Sequence, residues 1–170
     1  GEARARMAQA RARLGEARSR RPPPFREEKV LAGWNGLALR ALAEAGGALG
    51  RDDYLGAARS CGAFLLRAMR RDGALLHVWK DGTAKVPALL EDYGAVGSAF
   101  LSLHEATLEP RWLEEARWCC ERVLDGFWDP EGGVFHDTAH DAEALFLRPR
   151  DPMDNATPSG NALAVTGLLQ

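Results

Sequence analysis

An internal repeat constrains the fold of this chain more than any other feature. Gly36-Leu37-Ala38-Leu39, leading to Glu44-Ala45, returns as Gly97-Ser98-Ala99-Phe100, leading to Glu105-Ala106, and starts a third time at Gly160-Asn161-Ala162-Leu163. A period of roughly 60 residues holds one helical hairpin plus an elaborate loop. The chain therefore reads as an all-α arc of a larger helical array.

The apolar spacing places the elements. Glu2 to about Arg20 is rich in strong helix formers, is stopped by Pro22-Pro23-Pro24, and has a thin apolar face that predicts packing on one side. From Trp34 the positions Leu37, Ala38, Ala41, Leu42 and Ala45 keep helical spacing. Asp52 or Asp53 is the expected cap of the next helix, striped by Tyr54, Ala57, Ala58, Cys61, Leu65, Ala68 and Met69. These make a hairpin over 34–70. A second hairpin, 93–127, carries Tyr93, Val96, Gly97, Phe100 and Leu101, then Pro110 at a helix start and Leu113, Ala116, Cys120, Val123, Leu124 and Phe127.

The two helices of each pair differ in composition. Ala, Gly and Ser dominate the first, whereas the second carries charges such as Arg59, Arg67, Glu114, Glu121 and Arg122. Small residues permit close helix approach and charge requires water, so the first helices belong inside and the second form an outer wall. Long loops follow each outer helix. Residues 72–82 read as two short strands around Asp81-Gly82, and 129–136 as their counterpart.

Composition excludes some roles. A net charge of −2 lacks the basic footprint of non-specific nucleic-acid binding. There is no apolar run of membrane-spanning length and no apolar core of a secretory signal, which gives the expectation of a soluble, cytoplasmic protein. Cys61, Cys119 and Cys120 show no metal or redox spacing; Cys61 and Cys120 fall on apolar stripes as small hydrophobes. No cofactor is expected, since Pro158-Ser159-Gly160-Asn161 lacks the Lys and the spacing of a phosphate loop.

Four segments in order, Lys29-Val30-Leu31-Ala32-Gly33-Trp34-Asn35-Gly36, Leu89-Leu90-Glu91-Asp92-Tyr93, Phe127-Trp128-Asp129-Pro130-Glu131-Gly132-Gly133 and Pro158-Ser159-Gly160-Asn161, resemble the spermatogenesis-associated protein 20 family. The resemblance implies an arc of an (α/α)6 toroid of the six-hairpin glycosidase type, with residues 1–170 forming a partial domain and short β-hairpins in its long loops. It also implies a thioredoxin-like domain and further hairpins elsewhere in the full-length chain. Where the family often has two Asp before the Lys-Val-Leu segment, this chain has Glu27-Glu28.

The starts of the inner helices should converge on one mouth of such a ring, where helix N-termini favour carboxylates and polar ligand oxygens. Glu91 and Asp92 are the candidate acid pair. Glycoside hydrolysis sets two carboxyl groups on opposite sides of a bond, so a partner from another hairpin, Glu28 or Asp154, is expected. The alternative is that Asp92 caps its helix and Glu91 is solvated. Trp34, Trp79, Tyr93 and Trp128 are candidate platforms for a sugar ring, or else core plugs, and the stripe position of Trp34 favours the core. Asn35 and Asn161 could bind ligand hydroxyls but more readily cap loop backbone. His77 is either a proton carrier or a structural histidine. His136 and His140 lack the helix that would align them, so no metal site is expected.

The leading expectation is a carbohydrate-binding or carbohydrate-processing toroid, hydrolase or epimerase. The alternative is a non-catalytic client-binding or scaffold module beside a redox domain.

Overall fold

The structure, a computed structural model, describes residues 1–143 and 146–170. Helix α1 (Glu2–Ser19) forms as its composition predicts, but none of its residues is buried. The expected one-sided packing is therefore corrected: Met7 and Leu14 are both exposed, too little apolar surface to hold α1 against the body.

Strand β1 (Val30–Leu31) leads directly into α2 (Ala32–Leu49). Gly50, at φ 61°, ends α2 in the left-handed conformation that glycine adopts at little cost, and the chain reverses into α3 (Asp52–Ala68). Neither Asp52 nor Asp53 caps α3. Arg51 holds the cap position, and Asp53 in the first turn forms an ion pair with it at 2.6 Å. A carboxylate in the first turn still favours the helix through its dipole.

The first long loop holds β2 (Arg70–Arg71), β3 (Ala74–Lys80) and β4 (Thr83–Pro87). Two Asp-Gly pairs, Asp72-Gly73 and Asp81-Gly82, take positive φ at both residues and make the tight turns that suit twisted hairpins. The sequence reading recognised the second turn; the first adds another strand. β3 pairs antiparallel with β1, β2 and β4, with Val30 opposite Trp79 and Val78 opposite Lys85.

The second hairpin is α4 (Leu90–Thr107) and α5 (Pro110–Phe127), with Pro110 in the first turn of α5 where its missing N–H costs nothing. Its loop holds β5 (Trp128–Asp129) and β6 (Val134–Phe135) and leads to α6 (Gly160–Leu169). The inner helices α2, α4 and α6 lie side by side, with α4 between the others; α3 and α5 lie outside.

Helix α4 is the core. Its residues from Asp92 to Phe100 are buried without interruption, as expected of a helix covered on every side. Glycines set the spacing: a Cβ on Gly36 would lie 2.8 Å from the Ala95 carbonyl carbon, and one on Gly94 would lie 2.7 Å from the Ala164 nitrogen. Outside them, Trp112 of α5 stacks on Phe100 with ring centroids 5.5 Å apart.

Helix α2 corrects the expected stripe. Its buried residues are Ala32, Gly33, Gly36, Leu39, Ala43 and Gly46, while Ala38 and Ala41 are exposed. In a helix of Ala, Gly and Leu almost any phase looks apolar, so the neighbours and not the periodicity select the face. Cys119, not Cys120, is the fully buried cysteine of α5. Among the described residues no helix is long and apolar enough to cross a membrane.

Candidate functional site at the inner-helix N-termini

The starts of α2, α4 and α6 converge. Gly33 of α2 donates its N–H to Asp92 of α4 at 2.8 Å, and a Cβ on Gly160 of α6 would sit 3.1 Å from the Glu91 nitrogen. Two adjoining clefts lie at this junction. One is lined by Gly33, Trp34, Leu37, Glu91, Pro158 and Leu163 among others. The other, of about 250 Å³, takes in Glu91, Asp137, Asp151, Asn155, Thr157 and Ser159. Glu91 lines both.

Asp92 is fully buried, and both its oxygens are occupied. Oδ1 accepts the Gly33 N–H; Oδ2 accepts the Leu89 N–H at 2.9 Å and lies 2.8 Å from His77 Nδ1. The bond to Leu89 is the helix-capping role expected as the alternative to catalysis. The bond to His77 was not foreseen. Two backbone donors already make this carboxylate an acceptor, so the His77 ring presents Nδ1–H to it and leaves Nε2 for other partners.

These surroundings tune the two neighbours. The Asp92 carboxylate at hydrogen-bond distance raises the His77 pKa above its ordinary value against the opposing effect of partial burial, and Glu91 adds to the rise. Burial raises the Glu91 pKa, and the negative charge of Asp92 reinforces it. Asp137, half-buried, is likewise pushed up by burial. Donor atoms of His77, Glu91 and Asp92 lie within 4.8 Å of one another. Because Asp92 is fully buried and already holds three partners, this cluster is organised as a hydrogen-bonded network and not as an open ligand set.

The structure distributes the other candidates widely. Trp34 is 63 % exposed at the Glu91 cleft, against the core position favoured by its stripe. Tyr93 is buried, its hydroxyl accepting the Leu75 N–H at 2.9 Å and its ring set against Trp118 and Phe127, so no ring face is open to a ligand. Trp79 packs edge-on to Phe64, and Trp128 lies tilted over Phe135 in the second loop. Asn35 donates to the Leu31 carbonyl at 2.8 Å and Asn161 to that of Phe135 at 3.4 Å, both binding loop backbone.

Glu28 is exposed and bonded twice to Arg26. Asp154 accepts the Ser159 N–H at 2.8 Å. His136 approaches Asp129 at 3.5 Å while His140 bonds the Gly126 carbonyl at 3.1 Å, so the two rings serve separate partners. Burial raises the pKa of all three thiols, keeping them protonated and unreactive.

Asp137 and Asp151 were missed by the sequence reading. The loop after β6 is fastened beneath α4, with Leu90 donating to the Asp137 carbonyl at 3.0 Å and Asp137 donating to that of Pro149 at 2.9 Å. No periodic signal announces such a loop.

No protein-family model matches this chain. Over 161 residues it is 34% identical to spermatogenesis-associated protein 20 of Homo sapiens and 35% identical to that of Mus musculus. This segment is homologous to part of spermatogenesis-associated protein 20. The match takes in 88% of this chain but 20% of each relative, so the chain spans about a fifth of their length. Among solved structures it is similar to cellobiose 2-epimerase from Spirochaeta thermophila, with a TM-score of 0.67 at 16% identity over 82% of this chain and 37% of that one. It is also similar to a sugar epimerase from a ruminal bacterium, with a TM-score of 0.64 at 15% identity over 86% and 39%. These likenesses identify the fold as an arc of an (α/α)6 toroid. A shared fold does not carry function, which rests on the site residues themselves.

Proposed function

We propose that this chain contributes part of the mouth of a carbohydrate-binding or carbohydrate-processing toroid, hydrolase or epimerase, within a longer protein that also carries a thioredoxin-like domain. The observation that carries the reading is the position of Trp34: an exposed indole shares a cleft with the half-buried Glu91, whose carboxylate comes within 4.8 Å of the hydrogen-bonded His77–Asp92 pair. A flat aromatic face covers the apolar side of a sugar ring, and convergent carboxyl groups bond its hydroxyls. The epimerase-type fold of the structural neighbours agrees with this reading. A cytoplasmic location fits the same picture.

Saturation-transfer NMR of the full-length protein with glucose, mannose, cellobiose and N-acetylglucosamine tests it. Millimolar or tighter binding of at least one sugar is expected, weakened about tenfold by Trp34→Ala, in line with the loss of an aromatic contact. Absence of binding by all four, or a Trp34→Ala protein that binds unchanged, would sink the reading.

A further inference from the structure

Asp92 cannot be one of two carboxyl groups that flank a glycosidic bond, because it is fully buried and its oxygens hold Gly33, Leu89 and His77. Its position secures something else. A buried anion fixes an imidazole by Nδ1, and that imidazole and the Glu91 carboxylate come within 4.8 Å of each other. Hydrolysis has no need of a histidine held in this way, whereas moving a proton off carbon requires a base and an acid side by side.

We propose that Glu91 accepts, and His77 donates, the protons of a transfer at the carbon next to the carbonyl of an open-chain reducing sugar, with Asp92 as the residue that positions His77. This rests on the carbohydrate reading above and narrows it from hydrolysis to proton transfer. The charges support the assignment of roles. Asp92 favours imidazolium, so Nε2–H is the donor, and the burial that raises the Glu91 pKa makes its carboxylate a stronger base.

In the step, the Glu91 carboxylate removes the C2 proton. The electron pair of the C2–H bond becomes the C1=C2 bond of an enediol. The carbonyl π pair moves onto O1, which takes the Nε2 proton of His77. In the return, neutral His77 recovers the O1 proton, the C1=O1 bond re-forms, and C2 is reprotonated either by the Glu91 carboxyl group or by a water molecule whose hydroxide then takes the proton from Glu91. Glu91 and His77 end in their starting states, and no oxidant, reductant or cofactor is consumed. Return by Glu91 to the face it deprotonated regenerates the starting sugar with exchange, and delivery by the water to the opposite face of C2 gives the epimer.

Incubation of the full-length protein with glucose, mannose, cellobiose and N-acetylglucosamine in D2O tests the proposal through loss of the C2 proton signal. Exchange above the buffer rate is expected with at least one sugar that binds. It falls at least 100-fold in Glu91→Gln and in His77→Gln. In Asp92→Asn the pH profile shifts, the limb that reports protonated His77 moving to lower pH, a change that simple loosening of the fold does not produce. If Asp92→Asn fails to fold, the His77→Gln rate decides. A sugar that binds without exchanging, exchange that survives Glu91→Gln, or Glu91-dependent release of nitrophenol from nitrophenyl glycosides without exchange overturns the proposal and leaves the carbohydrate reading standing. Failure of every sugar to bind overturns both.

Discussion

Helices α2 and α4 are built from the same small residues but have opposite surroundings. α4 lies between α2 and α6 with α5 outside it, and even its serines are buried; α2 has α4 on one flank, and Trp34, Ala38 and Ala41 on the other are exposed. Composition thus marks both as inner helices, and neighbours alone decide which faces are covered. Trp34, in the first turn of α2, is likewise exposed where the starts of α2, α4 and α6 meet, so incomplete cover of α2 also leaves the candidate platform open beside Glu91.

The contrast is open to mutation. Trp112→Ala removes the ring that stacks on Phe100, fills the space over Gly62, and bonds Glu109 at 3.0 Å. A loss of about 3–5 kcal/mol is expected in urea unfolding, while Ala41→Ser on the open flank should stay within about 0.5 kcal/mol. Equal costs at the two sites would end the comparison. A smaller effect separates the two flanks of α2 itself. Gly36→Ala, and Gly94→Ala on α4, drive a methyl group into neighbouring backbone and should cost about 1–3 kcal/mol each, read in the same way.

Leu108, exposed just past the end of α4, takes φ 57°, a conformation that suits glycine. Leu108→Gly should raise stability by about 0.5–1 kcal/mol, the reverse of every change above. The pH dependence should be smallest. The folded pKa of His77 is raised, so its contribution to stability is complete below the unfolded value near 6.5 and fades as pH rises through the folded value. Glu91, also raised, acts in the same direction at lower pH: its contribution fades as pH climbs through a folded value above 4.5. Stability curves against pH for the parent and His77→Gln should converge on the alkaline side.

The sequence disclosed the repeat, both hairpins, the inner and outer assignment, and the cap at Asp92, because these depend on local spacing and on the contrast between charged and small residues. The phase of α2 was hidden, since Ala and Gly on every side carry no periodicity. The His77–Asp92 bond was hidden for a different reason. Their side chains meet only when β3 folds back beside the start of α4, a long-range event that no local pattern encodes. Asp137 and Asp151 reach the cavity through an irregular loop and lay beyond sequence reasoning for the same cause. Tyr93 shows the converse: its place at a helix start looked open, and Leu75, Trp118 and Phe127 enclose it.

Asp92, His77 and Glu91 form one electrostatic unit at the start of α4. Following the His77 imidazole nitrogens by NMR from pH 4 to 9, in the parent protein and in Asp92→Asn and Glu91→Gln, tests this most directly. The account predicts a parent pKa above 6.5 with Nδ1 protonated in the neutral ring, a large fall in Asp92→Asn, and a smaller one in Glu91→Gln. A His77 that titrates near 6.5 in all three proteins would contradict it.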